Sequence, residues 1–363
     1  MHLFGRWTDV THDPYYITNR TFSRTWVKNL TKRPIWAPTL SSYSSGSTGK
    51  PLLTPHKDTF SPITLSTPEL NIITIMDANT TAPDATTSPS RLTYYDIAFQ
   101  QPREQNTAAP NPWKGRYALN FKAAPYTTQW VQMPDITKTR QGLGIPACRK
   151  FADGTDFHTL PVLKDNETGA VIGDSLDIAN YLQNTFPDSG AGDLFPKQDL
   201  NFVCPGAVEI LVPLSKRENV EIHPDYSLFN TNVDWAFTLH CQLTTEGMLW
   251  DPEVKEQIRA EFVRRAGVKQ FEDMCIVGKE ARQKMLDLLE KTLHDLAVMY
   301  QRDTAGPFLL GKTPSFADAI VGGWLRMYER CLEEGEWDQV AGWYGGVFGK
   351  LHVALQRSFG AVH

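Results

Sequence analysis

The chain has 363 residues, of which 41% are hydrophobic and 21% charged, and its formal net charge is −5 at pH 7. This composition is that of a globular protein large enough for two domains. The sequence has no basic excess and no run of about 20 apolar residues, which argues against nucleic-acid binding, membrane binding and a membrane span.

Cysteine usage excludes a further set of chemistries. An odd number of cysteines with no Cys-x-x-Cys pair argues against a disulfide framework, a zinc site and a thioredoxin-type redox site. No apolar signal-peptide segment follows Met1, so we expect reduced thiols in a cytoplasmic protein that binds no metal. The five cysteines are Cys148, Cys204, Cys241, Cys275 and Cys331.

Residues 1–90 differ in composition from the rest of the chain. From residue 38 to residue 90, about half of the residues are Ser, Thr or Pro and few are charged. Such a segment cannot bury enough apolar surface to offset the entropy lost on ordering, so we predict a disordered extension. The first 37 residues are aromatic and mildly basic, which leaves a transit peptide and a wrongly assigned translation start as alternatives.

We expect an ordered α/β domain to begin at Arg91. The β-branched and aromatic run 92–99 predicts a buried strand, and the run 125–133 predicts a second one. Residues 135–142 predict a short helix.

A longer helix is predicted between these two strands, over residues 111–122. Asn111 is a suitable N-cap, and Pro112 suits the first helical position because it has no N–H to leave unpaired. We expect Arg116, on the same helix, to be a solvated or packing residue. Three aromatic residues recur at four-residue spacing, which predicts one buried helix face: Trp113, Tyr117 and Phe121.

A hairpin with an unusual proline follows. Residues 159–175 read TLPVLKDNETGAVIGDS, with a strand that contains Pro161, a turn at 165–169 and a second strand at 170–173. Proline fits a strand only where it has no ladder bond to make, most easily here with a cis Leu160–Pro161 bond. The N–H and C=O of Leu160 would then be able to pair with the peptide backbone of a ligand.

The helix predicted at 174–185 begins with Asp174 and Ser175. A helix N-terminus offers N–H donors to an anion, and Ser175 adds a hydroxyl. Beside Leu160, these donors predict a site for a small acidic peptide, for which glutathione is the obvious candidate. Two alternatives stay open: Pro161 as a kink in an edge strand, and Asp174-Ser175 as a helix cap alone.

The predicted elements divide the ordered chain into two domains. Residues 91–186 have the order β-α-β-α-β-β-α, in which the alternating start implies a parallel strand pair and the hairpin an antiparallel pair. A linker at 187–199 leads to a helical domain over 200–363.

The helical domain contains long amphipathic patterns and one capping motif. Asp251 and Pro252 predict the start of a charged helix at 252–266, and another helix is predicted at 278–302. Ser315-x-x-Asp318 forms a capping box before an apolar helix, so we expect a structural role for Ser315 and Asp318.

With these elements the chain resembles the glutathione transferases over residues 91–363. NPWKGRYALNF (111–121), followed by PYTTQWVQMPDI (125–136), is similar to SPNTWKTRLALNYKGIPY, a stretch typical of the fungal branch related to bacterial β-etherases. The segment 321–351 also resembles that branch, which includes GST-like proteins of secondary-metabolite clusters. The resemblance implies a thioredoxin-like N-terminal domain, an all-α C-terminal domain, glutathione as co-substrate and a homodimer.

The resemblance also implies how glutathione would be held. Leu160, fixed by Pro161, would pair its backbone with the cysteinyl unit. Ser175 and the start of its helix would bind the γ-glutamyl carboxylate, and Asp174 would bind the α-ammonium or cap the helix.

Three cationic residues precede the hairpin strand. A cation in this loop could meet the glycyl carboxylate of glutathione. The candidates are Arg149, Lys150 and His158.

The sequence departs from the family at the catalytic position. The family places a Ser, Tyr or Cys at the N-terminus of the first helix, where a hydrogen bond and the positive helix end stabilise the thiolate. The family Ser is replaced here by Ala109, which has no such hydrogen to donate. Thr107 and Asn111 are the nearest candidates to replace it.

Two functions follow from these features. The first is a glutathione transferase-like enzyme that acts on a small electrophilic or aryl-ether metabolite, with a hydrophobic acceptor pocket between the domains. The alternative, favoured by Ala109, is a non-catalytic glutathione-binding, ligand-binding or regulatory protein with the same fold. A thiol–disulfide oxidoreductase would need a cysteine near 109–113, and there is none.

Overall fold

The computed structural model describes residues 90–151, 154–204 and 222–363. The extension predicted to be disordered, residues 1–90, lies outside these ranges except for Ser90, and that prediction stays open.

The N-terminal part of the described chain is built on a mixed sheet. The described residues form six strands: β1 (Leu92–Ile97), β2 (Tyr126–Val131), β3 (Arg149–Lys150), β4 (Asp156–Phe157), β5 (Val162–Asp165) and β6 (Val171–Ile172). The sheet order is β2-β1-β5-β6, with β1 and β2 parallel and the β5–β6 hairpin antiparallel. Both predicted pairings are therefore confirmed. A second hairpin, β3–β4, was not predicted, because strands of two residues carry no alternation pattern.

The other main elements of the described chain are helices, some of which pack against this sheet. They are α1 (Arg103–Asn106), α2 (Pro110–Phe121), α3 (Ile136–Gly142), α4 (Ser175–Thr185), α5 (Pro224–Thr238), α6 (Lys255–Ala266), α7 (Lys279–Tyr300), α8 (Phe316–Cys331) and α9 (Glu336–Phe359). In the described residues, no strand lies between the helices that follow α4. The predicted fold class, an α/β domain followed by a helical domain, is therefore confirmed. Within the described ranges, no helix is both long and apolar enough to cross a membrane.

The start of α2 differs from the prediction. The helix begins at Pro110 with Ala109 as its N-cap, so Asn111 lies within the first turn, is exposed and is not the cap. Pro110 and Pro112 both fit this turn, because the first N–H groups of a helix have no partner within the helix. The sequence pattern could not distinguish the two prolines.

The aromatic face of α2 is buried as predicted, and of the two roles expected for Arg116 the structure shows packing and not solvation. Its guanidinium is fully buried and pairs with the equally buried carboxylate of Asp96 on β1. It also donates to the hydroxyl groups of Tyr126 and Thr128 on β2. Arg116 thus ties α2 to both strands of the parallel pair.

Of the helices predicted in this domain, 278–302 is observed as Lys279–Tyr300, whereas α5 and α9 were not predicted. The helix predicted to start at Pro252 begins at Lys255, because the Asp251 carboxylate accepts from the Glu253 N–H in a separate turn. The capping box is confirmed at the start of α8, where the Asp318 carboxylate accepts from the N–H of Ser315.

Helix α8 joins the two domains. It packs against α2, α5 and α9. At Gly323 the approach to α2 is so close that a Cβ would lie 2.5 Å from the carbonyl oxygen of Pro110. One turn later, Arg326 donates to the carbonyl groups of Gln105 and Thr107. The loop that leads into α2 is therefore held by the helical domain.

The last residues of the chain return to the N-terminal domain. The N–H of Thr128, on the edge strand β2, donates to the carbonyl oxygen of His363 over 2.8 Å. The Asn120 amide on α2 donates to the carbonyl groups of Phe359 and Ala361. This segment, residues 359–363, runs beside the outer edge of the sheet.

Candidate functional site

The N-terminus of α2 is the first component of the candidate site. Ala109 is half-buried, has extended backbone angles and gives the helix no side-chain cap. Pro110 and Pro112 carry no N–H, and the Trp113 N–H is bonded to the Ala109 carbonyl. Within residues 110–112, only the backbone of Asn111 can therefore donate to a ligand at this helix end.

Thr107, predicted as a catalytic candidate, does not reach this position in the structure. Its side chain is fully buried, and its hydroxyl lies 3.5 Å from Oδ2 of Asp96. Its carbonyl accepts from the indole N–H of Trp113 and from Arg326. Asn111, the other candidate, lies at the helix start with its side chain exposed.

The second component is the segment that enters β5. Leu160 and Pro161 are buried, and the peptide bond between them is cis. The ladder with β1 begins at Val162, so Leu160 lies just outside it. Across the described ranges, no backbone group is hydrogen-bonded to Leu160. Neither the N–H nor the C=O of Leu160 is therefore paired with the backbone of the described chain, so both could pair with a ligand.

The third component is the N-terminus of α4. Asp174 is the N-cap, and its Oδ1 accepts from the N–H of Leu176 over 2.9 Å. The capping role that the sequence left open is therefore present. Ser175 is the first helical residue and is almost fully buried beside this cap. Helix α4 packs against α2, and the charge of Asp174 at the start of α4 acts on Lys114 near the start of α2, so the two helix N-termini belong to one region of the molecule.

Arg140 connects the parts of this region, and sequence reasoning missed it. Its buried guanidinium donates to the carbonyl groups of Thr159, Gly173 and Pro146. These carbonyls belong to the residue before Leu160, the residue before Asp174 and the loop before β3. In the sequence, Arg140 is one polar residue among several in a short helix, with no local signal of burial.

A cysteine lies against the same carbonyl of Gly173. The Sγ atom of Cys148 is 2.9 Å from the Gly173 oxygen, and the Thr159 hydroxyl is 3.5 Å from Sγ. Burial raises the pKa of the Cys148 thiol. A thiol with a raised pKa is a weak nucleophile near neutral pH, which favours a packing role for Cys148.

The three predicted cations lie on or beside the small β3–β4 hairpin. Lys150 is exposed on β3, and its ammonium group is 2.7 Å from a carboxylate oxygen of Asp156 on β4. His158 is half-buried, and its Nδ1 has no hydrogen-bond partner in the described chain. Burial lowers the pKa of His158, and the nearby positive charge of Arg140 lowers it further. His158 is therefore neutral at pH 7 and a weaker partner for a carboxylate than a cation would be.

A buried polar cluster borders the site on the helical side, and it too was missed. Lys114 on α2 is fully buried, with its ammonium group 2.5 Å from Oδ1 of Asp234 and 2.8 Å from the amide oxygen of Asn230 on α5. The indole N–H of Trp324 on α8 donates to the same Asp234 oxygen over 2.7 Å. The sequence signal for this cluster was the Trp113-Lys114 pair, which also occurs in the family stretch that the sequence resembles.

The charge of Lys114 connects this cluster with the other components. Burial lowers the pKa of Lys114, while Asp234 acts in the opposite direction. The charges of Asp174 and Arg149 also act on this pKa, so both lie near Lys114. The described residues contain no group of His, Cys, Asp and Glu side chains suited to a metal ion.

The family comparisons match parts of both domains. Residues 108–185 match the glutathione S-transferase N-terminal domain, and residues 248–357 match the glutathione S-transferase C-terminal domain. The first range includes α2, the hairpin and α4. The second includes α8 with its capping box.

Individual relatives cover about three quarters of the chain. The glutathione S-transferase-like protein ustS of Aspergillus flavus is 25% identical over 282 residues, which are 74% of this chain and 92% of ustS. A glutathione S-transferase of Ceriporiopsis subvermispora, solved in complex with glutathione, is 26% identical with a TM-score of 0.57 and covers 74% of this chain and 97% of its own. The glutathione transferase GSTFuA3 of Phanerochaete chrysosporium is also 26% identical, with a TM-score of 0.58, and covers 76% and 100% of the two chains. From its sheet, its helical domain and these matches, the chain belongs to the glutathione S-transferase superfamily.

Proposed function

We propose that this protein is a glutathione transferase-like enzyme that joins glutathione to, or uses it to cleave, a small hydrophobic electrophile. The observation that supports this most is the grouping of three binding elements in one region. These are the backbone of Leu160, the N-terminus of α4 at Ser175 and the N-terminus of α2 at Ala109.

Each element matches one part of the tripeptide. The backbone of Leu160 would pair with the cysteinyl unit, as one strand pairs with another. Ser175 and the first N–H groups of α4 would bind the γ-glutamyl carboxylate. Lys150 would meet the glycyl carboxylate, with His158 supplying a neutral donor. The structure of the Ceriporiopsis relative with glutathione supports this choice of ligand.

Thiol activation would differ from that of enzymes with a catalytic hydroxyl. The sulfur would lie at the N-terminus of α2, where the helix dipole favours the thiolate and the N–H of Asn111 can donate to it. Ala109 contributes no hydrogen bond. A cysteine thiol has an ordinary pKa of about 8.5, so a partial ionisation near neutral pH needs only a small further shift.

The acceptor is proposed to be hydrophobic, because a sulfur at the start of α2 would lie near α8 of the helical domain, and acceptor pockets are mostly apolar. An aryl ether or another electrophile of fungal secondary metabolism is the class we favour, because the sequence resembles the fungal branch related to β-etherases that includes GST-like proteins of secondary-metabolite clusters. We also expect a cytoplasmic homodimer.

A second function is supported by Ala109 and Thr107. Ala109 has no hydroxyl at the helix start, and the hydroxyl of Thr107 is bonded to Asp96 in the core. A protein of this fold that binds glutathione or another ligand without turnover would tolerate such a site.

Two measurements on the full chain distinguish these functions. Calorimetric titration with glutathione tests binding, and turnover of a panel of electrophiles and aryl ethers tests catalysis. The transferase proposal requires binding together with glutathione-dependent turnover of at least one compound. Binding without turnover across the panel would favour the second function, and absence of binding would reject both.

A further inference from the structure

A groove on α9 lies apart from the three components of the candidate glutathione site. Its volume is about 680 Å³, and it is lined by α9 and by the loop that precedes α8. We propose that this groove binds an amphipathic organic anion, a small molecule with an apolar body and one anionic head group. The described residues that line the groove all belong to the helical domain, so it is separate from an acceptor pocket between the domains.

The groove has a concave shape because α9 is broken near its middle. Tyr344, Gly345 and Gly346 have left-handed backbone angles, with φ values of 52°, 74° and 81°. In a straight helix, residues eight positions apart are separated by about 12 Å along the axis. Here a Cβ on Gly349 would lie 2.7 Å from the carbonyl oxygen of Ala341. The two parts of α9 therefore meet at an angle, and the groove lies along the second part.

Hydrogen bonds fix both sides of this groove. A left-handed conformation is unfavourable for a residue with a side chain, so Tyr344 needs contacts that hold it. Its hydroxyl donates to the carbonyl oxygen of Glu290 on α7 over 2.6 Å, and its carbonyl accepts from the Gln301 amide over 3.0 Å. On the facing side, the N–H of Phe308 donates to the carbonyl oxygen of Gly311 over 3.0 Å. The groove is thus built from fixed parts, as small-molecule sites usually are.

The size and the apolar lining of the groove favour a small molecule. Phe308, Ala341 and Ala354 contribute to its walls, and Val353 lies beside them with 64% of its surface exposed. Covering such apolar surface stabilises a complex. A volume of this size is typical of small-molecule pockets, which span about 300–1,000 Å³, whereas a protein partner needs a broad surface of about 800 Å².

The charged residues of the groove favour an anion. Lys350 and Arg357 lie seven positions apart, and so on one side of α9, with Val353 and Ala354 between them. The described lining residues include neither Asp nor Glu, although the whole chain has a net charge of −5. An anionic head group beside the two cations and an apolar body along Val353 and Phe308 satisfy both features of the groove.

Both cations have donors for such a head group. Within the described ranges, Arg357 makes no hydrogen bond and no ion pair, and its side chain is exposed. The ammonium group of Lys350 donates to the carbonyl oxygen of Gly345 over 2.9 Å, which uses one of its three N–H bonds. A carboxylate can accept from an ammonium and a guanidinium group together.

The test is a fluorescence titration of the full chain with two matched probes. One is dansylaminoundecanoate, a fluorescent fatty acid, and the other is the corresponding uncharged alcohol. Lys350→Met/Arg357→Met keeps apolar side chains and removes both charges. It should weaken binding of the acid about fivefold to twentyfold, as for two partly exposed ion pairs, and leave binding of the alcohol within about twofold.

Two further variants localise the effect. Lys279→Met/Lys291→Met removes two exposed lysines of α7 and should leave the affinities for both probes unchanged. Val353→Asn, at an exposed position of the groove, should weaken the acid and the alcohol alike, by about twofold to threefold.

Three results would overturn the assignment. The wild type does not bind the acid, the groove variant binds it as tightly as the wild type, or the α7 variant loses affinity to the same extent as the groove variant. Sedimentation equilibrium identifies the competing occupant. If the acid does not bind and the groove variant lowers the molar mass in solution, the groove is an interface between two copies of the chain.

Discussion

The hydroxyl group of Thr107 lies 3.5 Å from Oδ2 of Asp96, and both side chains are buried in the N-terminal domain. Asp96 also pairs with the buried guanidinium of Arg116. The hydroxyl thus belongs to a structural network that joins β1 to α2. In the proposed function, activation of a bound thiol would then come from the helix end itself, where Ala109 provides no side-chain donor.

The first prediction concerns Thr107. Thr107→Val keeps the shape of the side chain and removes its hydrogen bond to Asp96, so it should lower the free energy of unfolding by about 1 kcal/mol. It should leave the pH dependence of kcat/KM for glutathione unchanged. Denaturant unfolding and a pH–rate profile measure the two quantities. A rise of the thiol pKa by about one unit would instead assign Thr107 to catalysis.

The second prediction restores the missing hydroxyl. Ala109→Ser places a donor at the N-cap of α2, beside the proposed sulfur position. A hydrogen bond to a charged acceptor is worth about 1.5–3 kcal/mol, which corresponds to a fall of about one to two units in the pKa of the bound thiol. The acidic limb of the kcat/KM profile should move to lower pH. Ala191→Ser, at an exposed loop position, is the control and should leave the profile unchanged. An unmoved limb in Ala109→Ser would mean that the sulfur lies elsewhere.

The third prediction concerns the support of the site by Arg140. In Gly173→Ala the new methyl group would lie 2.5 Å from Nη2 of Arg140 and 2.6 Å from Cδ1 of Ile145. The guanidinium should be displaced from the Thr159 and Gly173 carbonyls, and the KM for glutathione should rise about tenfold. Steady-state kinetics at varied glutathione concentration measures this effect.

Gly142→Ala is the matched control for this substitution. Its methyl group meets no atom within 4 Å, and it lies in the last turn of α3. It should leave KM unchanged and alter stability by no more than about 1 kcal/mol. Equal effects of the two substitutions on KM would argue against a role for Arg140 in holding the site.

The fourth prediction concerns the hairpin that carries Leu160. Burial alone would raise the pKa of Asp165, but hydrogen bonds from Arg91, Tyr181 and two backbone N–H groups outweigh it and hold the pKa well below its usual range. A carboxylate with a depressed pKa stabilises the folded state above its ordinary pKa of 3.8 and loses this contribution as the pH falls below that value.

Asp165→Asn should therefore lower the free energy of unfolding at pH 7 by about 2–3 kcal/mol. The difference from the wild type should shrink as the pH falls below about 4. Denaturant unfolding at several pH values measures both effects. The exposed Asp188→Asn should change little at any pH, and a constant difference between Asp165→Asn and the wild type down to pH 3 would contradict this role for the carboxylate.

The elements that the sequence predicted correctly are those with local signals. The strand predicted to contain Pro161 begins one residue later, at Val162. The proline before this strand, the turn after Asp165 and the capping box of Ser315 and Asp318 are each encoded within a few residues. Local chemistry of this kind fixes backbone geometry directly, which is why the hairpin, α4 and the start of α8 could be placed.

The features that the sequence did not reveal depend on distant partners. Arg116 pairs with Asp96, which lies twenty positions earlier in the sequence, and Lys114 pairs with Asp234 in the helical domain. Whether such a cation is solvated or buried depends on tertiary packing, which no pattern along one helix expresses. Arg140 is missed for the same reason, since its acceptors are backbone carbonyls of any residue type.

The contact between Thr128 and the last residue of the chain has a consequence for behaviour in solution. A sheet edge with open N–H and C=O groups is a template on which another chain can add a strand. Residues 359–363 occupy part of the outer edge of β2, so the helical domain shields the N-terminal sheet from edge-to-edge association. Loss of this segment should thus promote aggregation before it affects catalysis.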